Sequence, residues 1–339
     1  MPIMVETTNL TRRYGAMTAL DSLNLQIPQG AVYGFIGPNG AGKTTTMRIL
    51  TTLLQPSSGE ARVAGHSVTT DHRMVRRVVG FMPDSFGVYD NMRAWEYLDF
   101  FAAAYGIPAA RRATMIGELL ELVDLKQKHD ADVMGLSRGM KQRLSLARTM
   151  VHDPQLLILD EPASGLDPRA RVELRELLKE LRVMGKTIMI SSHILTELAE
   201  MCTHIGIIEH GRLLASGEVH AMMRSLQPHR VFDVTLLYDA TAGIGISPQA
   251  AAALVRGNPG VLDVRIPEEV PHPRLHIDVD GDDRAVSDLL TRLISAGAAV
   301  THFAGQVSDL EEIFLQVTDK AARESGEHER KAESGERRT

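Results

Sequence analysis

One segment constrains this chain more than any other. Gly37-Pro-Asn-Gly-Ala-Gly-Lys43-Thr44 fits G-x-x-x-x-G-K-[ST], and it lies between a predicted strand, Val32–Ile36, and a predicted amphipathic stretch, Thr45–Leu54. Glycines let the backbone wrap around phosphates, while the turn N–H groups and the helix N-terminus supply partial positive charge. In such a loop the Lys43 ammonium reaches the β- and γ-phosphates, and the Thr44 hydroxyl suits Mg²⁺. The competing reading is a plain glycine-rich turn. A strand before it and a helix after it favour the phosphate site.

Around this loop, the first 225 residues alternate predicted strands and helices. Asn24–Ile27 and Val32–Ile36 read as strands, and Ala94–Tyr105 and Arg111–Leu122 carry apolar residues at helical spacing. Leu156–Leu159 is a short apolar run ending in Asp160–Glu161. Pro168 opens a helix that Gly185 stops near Met184. Thr187–Ile190 ends in Ser191–Ser192–His193, and short strands at 205–209 and 212–215 flank the His210–Gly211 turn. This alternation predicts an α/β domain with a largely parallel sheet.

The next 93 residues have another rhythm: strand 231–237, helix 249–256, strands 261–266 and 274–279, helix 284–296, strand 299–303 and helix 309–317. The first six elements are βαββαβ, the order of a ferredoxin-like split βαβ unit, a small α+β domain. Residues 319–339 carry six basic and six acidic side chains and no large apolar residue, which predicts a disordered charged tail. The expected divisions are therefore 1–225, 226–318 and 319–339.

Charge follows the same divisions. Of the net −6, residues 1–225 hold 25 basic and 24 acidic side chains, whereas residues 226–318 hold 6 and 13 with no lysine. No global basic excess suggests a nucleic-acid partner. The single Cys202 excludes an intramolecular disulfide framework and fits a reducing compartment. No apolar run reaches the roughly 18 residues of a membrane span, and MPIMVETTNL lacks a signal-peptide apolar region, so a cytoplasmic protein is expected.

Leu156-Leu-Ile-Leu-Asp160-Glu161 would put two carboxylates at the end of a buried strand, one placed to hold a metal through water and one to orient an attacking water. By itself this pattern is as common in a purely structural role. Between the phosphate loop and this strand lies Leu136-Ser-Arg-Gly-Met-Lys-Gln-Arg143, at the head of a predicted helix. With that third segment, about residues 4–220 resemble the nucleotide-binding subunits of ATP-binding cassette (ABC) transporters, whose signature usually reads Leu-Ser-Gly-Gly and a polar residue. The resemblance implies a P-loop NTPase fold with a helical signature subdomain.

It also implies roles, residue by residue. Gly37, Pro38, Asn39, Gly40, Ala41, Gly42, Lys43, Thr44 and Thr45 would bind ATP, with Tyr14 stacked on adenine. Glu161 would be the catalytic carboxylate and His193 the switch histidine at the γ-phosphate. Thr44, Asp160 and Asp84 would attend Mg²⁺. Ser137 and Gly139 would approach ATP held by a second copy, and Asp167 would lie in the loop that communicates across that dimer. Two positions depart from the family. Arg138 replaces the second signature glycine, and its side chain must point away from the nucleotide. Asp84 replaces a glutamine, adding negative charge near a polyphosphate.

Eight of the 15 aromatic residues fall between Phe81 and Tyr105. Most would fill the core of the helical subdomain; in the family this region receives a coupling helix of the membrane subunit, so Phe86, Tyr89 and Trp95 are expected to border that groove. Asp278–Asp283 has its glycine at loop position 4 rather than 6, which fits a solvated acidic turn and not a calcium loop. The C-terminal block, ending in Val307–Thr318, resembles the extension on drug-resistance-type ATPases of the ABC-2 exporter class, implying a role in dimer or membrane-subunit assembly. The expected protein is thus an ATPase subunit of an exporter, a sandwich homodimer, peripheral on the cytoplasmic face of the membrane beside a permease of about six spans. Two alternatives stand beside it: a cassette ATPase acting on ribosomes or nucleic acid, and a purely regulatory nucleotide-binding module.

Overall fold

The computed structural model describes residues 2–85, 91–193, 201–219, 221–222, 230–239, 241–267 and 273–305. The expected helix 309–317, the Val307–Thr318 segment, the charged tail, Phe86 and Tyr89 lie outside them. The chain divides into two compact units, one over the described residues up to 219 and one over those from 221 onward.

The first unit opens with strands β1 (Ile3–Tyr14), β2 (Met17–Pro28) and β3 (Val32–Ile36) and helix α1 (Lys43–Leu50). Strands β4 (Ser58–Val63) and β5 (His66–Ser67), helix α2 (His72–Val78) and strand β6 (Val79–Met82) follow. Helices α3 (Ala94–Ala104), α4 (Ala109–Leu122) and α5 (Arg138–Met150) form the helical subdomain. The unit continues with β7 (Leu156–Leu159), α6 (Pro168–Val183), β8 (Thr187–Ser192), β9 (His204–Glu209) and β10 (Arg212–Glu218).

Two sheets organise it. Strands β6-β7-β8-β3-β9 run parallel, with β10 antiparallel at the edge. Every residue of β3, β7 and β8 is buried, as continuous apolar strands covered on both faces require. A separate antiparallel sheet, β2-β1-β4-β5, was not anticipated by the expectation of one largely parallel sheet. In its β2, Leu23, Leu25 and Ile27 alternate inward while Asn24 and Gln26 face water. Helix α1 buries Met47, Ile49 and Leu50 in the core shared by the two sheets, beside Leu20, Leu25, Phe35 and Ile158.

The parallel register sets up the site. Ile36 lies opposite Ser192, Ile190 opposite Leu159, and Leu159 opposite Met82. The chain therefore leaves β3, β8, β7 and β6 at one edge, the carboxyl edge where open α/β sheets bind ligands. Gly37, His193, Asp160–Glu161 and Asp84 follow those four ends.

The second unit consists of β11 (Arg230–Leu237), α7 (Pro248–Arg256), β12 (Val261–Arg265), β13 (Arg274–Val279), α8 (Asp283–Ser295) and β14 (Ala299–Gly305). Its sheet order is β12-β13-β11-β14 with every neighbour antiparallel, the arrangement of a split βαβ sandwich. Phe232, Val234, Leu275 and Ile277 pack against Ala252, Val255, Leu289 and Leu293 in a core of its own. The acidic turn read against calcium binding serves α8: Asp282 accepts the N–H groups of Arg284 and Ala285 as its N-cap.

Candidate active site

The phosphate loop begins where β3 ends. Gly37 has no room for a side chain, since a Cβ there would stand 2.2 Å from the Ile208 carbonyl oxygen. Gly42 caps α1 with φ +109°, and a Cβ would meet Leu20 and the Ala19 carbonyl, so the loop is pressed against β2. Pro38, Asn39 and Gly40 are exposed, whereas Ala41 and Lys43 are buried and Thr44 and Thr45 half-buried. No side chain caps the first turn of α1. Its leading N–H groups thus face the loop with the positive end of the helix dipole behind them.

Lys43 is only 6% exposed. Its Nζ donates to the carbonyls of Gly37 (2.6 Å) and Pro38 (3.3 Å) and stands 3.7 Å from Glu161 Oε1. Burial pulls its pKa below the usual lysine range, and the negative charges of Glu161 and Asp160 act against that fall. Asp160, 1% exposed, accepts the Ser191 hydroxyl at 2.6 Å. The Ser191 oxygen in turn accepts the Glu161 N–H at 2.9 Å. Glu161 sits at φ +50°, a left-handed conformation that costs a non-glycine residue about 1–2 kcal/mol. That turn leaves Oε1 toward Lys43 and Oε2 at 2.9 Å from His193 Nδ1. The ends of β3, β7 and β8 thus join one lysine, two carboxylates, a serine and a histidine in one network.

Asp84 is exposed and, with Asp160, Arg48 and Arg148, lines a cavity of about 600 Å³ beyond β6. Tyr14, at the β1–β2 turn, is 44% exposed, with the Arg12 guanidinium 4.5 Å from its ring centre. Ser137 and Asp167 are N-caps: the Ser137 hydroxyl accepts the Met140 N–H (3.3 Å), and Asp167 accepts that of Ala170 (2.9 Å). Ser137, Gly139 and Asp167 share a separate cavity of about 200 Å³ with Arg138, Arg143 and Arg169. Most of the expected site residues therefore fall into two groups, one at the phosphate loop with Asp160, Glu161 and His193 and one at the heads of α5 and α6, while Tyr14 stands at the β1–β2 turn and Asp84 lines the cavity beyond β6. Trp95, the described member of the expected groove, is half-buried and stacks on His129 at 6.0 Å.

Sequence reasoning singled out neither Ser191 nor Gln142 as functional. Ser191 binds both Asp160 and the Glu161 backbone, and Gln142 Nε2 donates to the Pro162 carbonyl at 2.5 Å. The Ser-Ser pair ahead of His193 was the available signal for the first; nothing local marks the second.

The ABC transporter family profile matches residues 20–164. The bacitracin transport ATP-binding protein BcrA of Bacillus licheniformis is 42% identical over 63% of this chain and 69% of its own length. The daunorubicin/doxorubicin resistance ATP-binding protein DrrA of Streptomyces peucetius is 33% identical over 97% of this chain and 98% of its own. Among solved structures, an ATP-binding subunit of an ABC transporter superposes with a TM-score of 0.60 and 29% identity, covering 66% of this chain and 93% of that one. A second cassette, described as a dimer bound to ADP and Pi, shares the fold with a TM-score of 0.58 at 24% identity, over 64% of this chain and 99% of that one.

The chain belongs to the ATP-binding subunits of ABC transporters, P-loop ATPases that hydrolyse ATP. Within that family it is an ATP-binding subunit of the exporter type.

Proposed function

We propose that this chain powers export through a separate membrane permease by closing on ATP as a homodimer and reopening after hydrolysis. The observation that carries this reading is the Lys43–Glu161–His193 network, set over the buried Asp160–Ser191 pair at the edge of the parallel sheet. In it, the loop residues Gly37 to Thr45 hold the phosphates and Tyr14 stacks on the base. Glu161 orients the water and accepts its proton as the water oxygen bonds to the γ-phosphorus and the bond to the β-γ bridging oxygen breaks, leaving the electron pair on ADP, and His193 contacts the transferring group. Ser137 and Gly139 complete the partner copy's site, and Asp167 carries communication across the dimer. Closure is favoured because the γ-phosphate is then held from both sides, and its loss removes that differential contact.

Thr44, Asp160 and Asp84 supply only hydroxyl and carboxylate oxygens, a donor set that fits Mg²⁺. The ion would neutralise charge on the β- and γ-oxygens. Among the described residues no helix is long and apolar enough to cross a membrane. The integral-membrane partner that this reading calls for would have about six spans, as the family resemblance implies. The chain would dock on its cytoplasmic face, with residues 226–318 serving assembly. The cargo is left open among the drug, lipid and glycan classes; the relatives' names give bacitracin transport and daunorubicin/doxorubicin resistance for those proteins.

Glu161→Gln tests the assignment. It should keep ATP binding, form ATP-dependent dimers on size exclusion, and release phosphate about 100-fold more slowly, the scale of a lost general base. Undiminished turnover would remove Glu161 from this role. Co-purification from membranes with a polytopic permease supports the exporter reading, whereas recovery on ribosomes or DNA would favour the alternative.

A further inference from the structure

The residue that departs from the signature pattern makes a specific contact. Arg138 opens α5 directly after the Ser137 cap, and its Nη2 donates to the Ser164 carbonyl at 3.0 Å. Four residues on, on the same helix face, Gln142 donates to the Pro162 carbonyl at 2.5 Å. Two side chains of one helix thus hold two carbonyls of the segment that leaves Glu161 and runs to Asp167.

Arg138 and Gly165 are fitted to each other. Gly165 has φ +69°, and a Cβ on it would stand 2.4 Å from the Arg138 Cζ and 2.6 Å from Nη2. The guanidinium occupies the space a side chain at position 165 would need. Beside it, Gly139 brings α5 close to α6: a Cβ there would rest 3.4 Å from the Ala170 Cβ and 3.8 Å from Leu166.

We propose that Arg138 is a positioning residue that clamps the head of α5 to the 162–166 segment. It thereby ties the part of the chain serving the partner's nucleotide to the part following its own catalytic carboxylate. The inference rests on the sandwich-dimer reading above. In a closed dimer, strain at the head of α5 is passed through the guanidinium to Ser164 and so toward Glu161. Occupancy of one nucleotide site then biases the other.

Steady-state ATPase measurements on the full chain provide the test. For the native protein the Hill coefficient for ATP should approach about 2, the number of coupled sites. Arg138→Ala should lower kcat about 3- to 10-fold, the scale of one lost hydrogen bond, with KM changed by less than about 2-fold and the Hill coefficient near 1. Arg138→Lys, which restores one donor without the planar group, should recover part of both. Gly165→Ala should reproduce the Arg138→Ala defect, and the double variant should be no worse than either single one, as expected for residues in contact. A native kcat and Hill coefficient in Arg138→Ala, or additive defects in the double variant, would overturn the clamp. ATP-dependent dimers of Glu161→Gln together with a native Arg138→Ala reject the clamp alone. Absence of those dimers rejects the sandwich reading and the clamp with it.

Discussion

At the residue scale the protein places strain and buried charge where the phosphates would sit. Glu161 keeps a left-handed backbone while Ser191 satisfies its N–H and Lys43 and His193 face its two carboxylate oxygens. Away from the site, close packing is equally strict. A Cβ on Gly206 would land 2.0 Å from the Tyr33 hydroxyl, which is fixed at 2.7 Å from Ser216 Oγ, and burial pushes the Tyr33 hydroxyl pKa upward. Gly206→Ala should therefore cost about 1–3 kcal/mol through overpacking. Calorimetry should show the melting temperature falling about 2–4 °C per kcal/mol in a unit of this size. Adding Tyr33→Phe, which removes the clashing oxygen, should recover part of the loss. No recovery would mean the ring is not the obstacle.

At the element scale, helical periodicity was the most legible signal. Apolar spacing placed α3 and α4 within two residues of their observed starts, and Pro168 marked the first residue of α6. The β1–β2 sheet was less legible for a physical reason. Its ladder breaks register between Ile3 and Val5, at Thr7–Leu10 and again up to Arg13, and each bulge interrupts the period-two alternation by which strands are read. Helix α8 shows how cap and core divide the work in the second unit. Leu289 is 2% exposed against the sheet, whereas Asp282 only caps the helix end. Leu289→Ala should cost about 2–5 kcal/mol and Asp282→Ala about 1 kcal/mol. Urea titrations followed by circular dichroism would check that order, and equal costs would mean the helix is held mainly by its cap.

At the scale of the whole molecule, two units with separate cores imply separate unfolding. Differential scanning calorimetry should resolve two transitions. Adding ATP to Glu161→Gln should raise only the transition of the unit holding the phosphate loop, by about 2.7 kcal/mol of linkage at 100 times Kd. A single transition moving as one would show that the units unfold together.

The linear chain by itself carried the local patterns of the candidate site. A glycine-rich loop before a helix, a buried strand ending in two acids and a serine at a helix head each carry their chemistry in local spacing. The tertiary structure alone decided how those groups engage. Ser191 reaches Asp160 across 31 residues, His193 reaches Glu161 across 32, and Arg138 reaches Ser164 across 26. Such contacts depend on strand register and on which helix face turns inward, and both are set by packing the whole core rather than by any neighbouring residue.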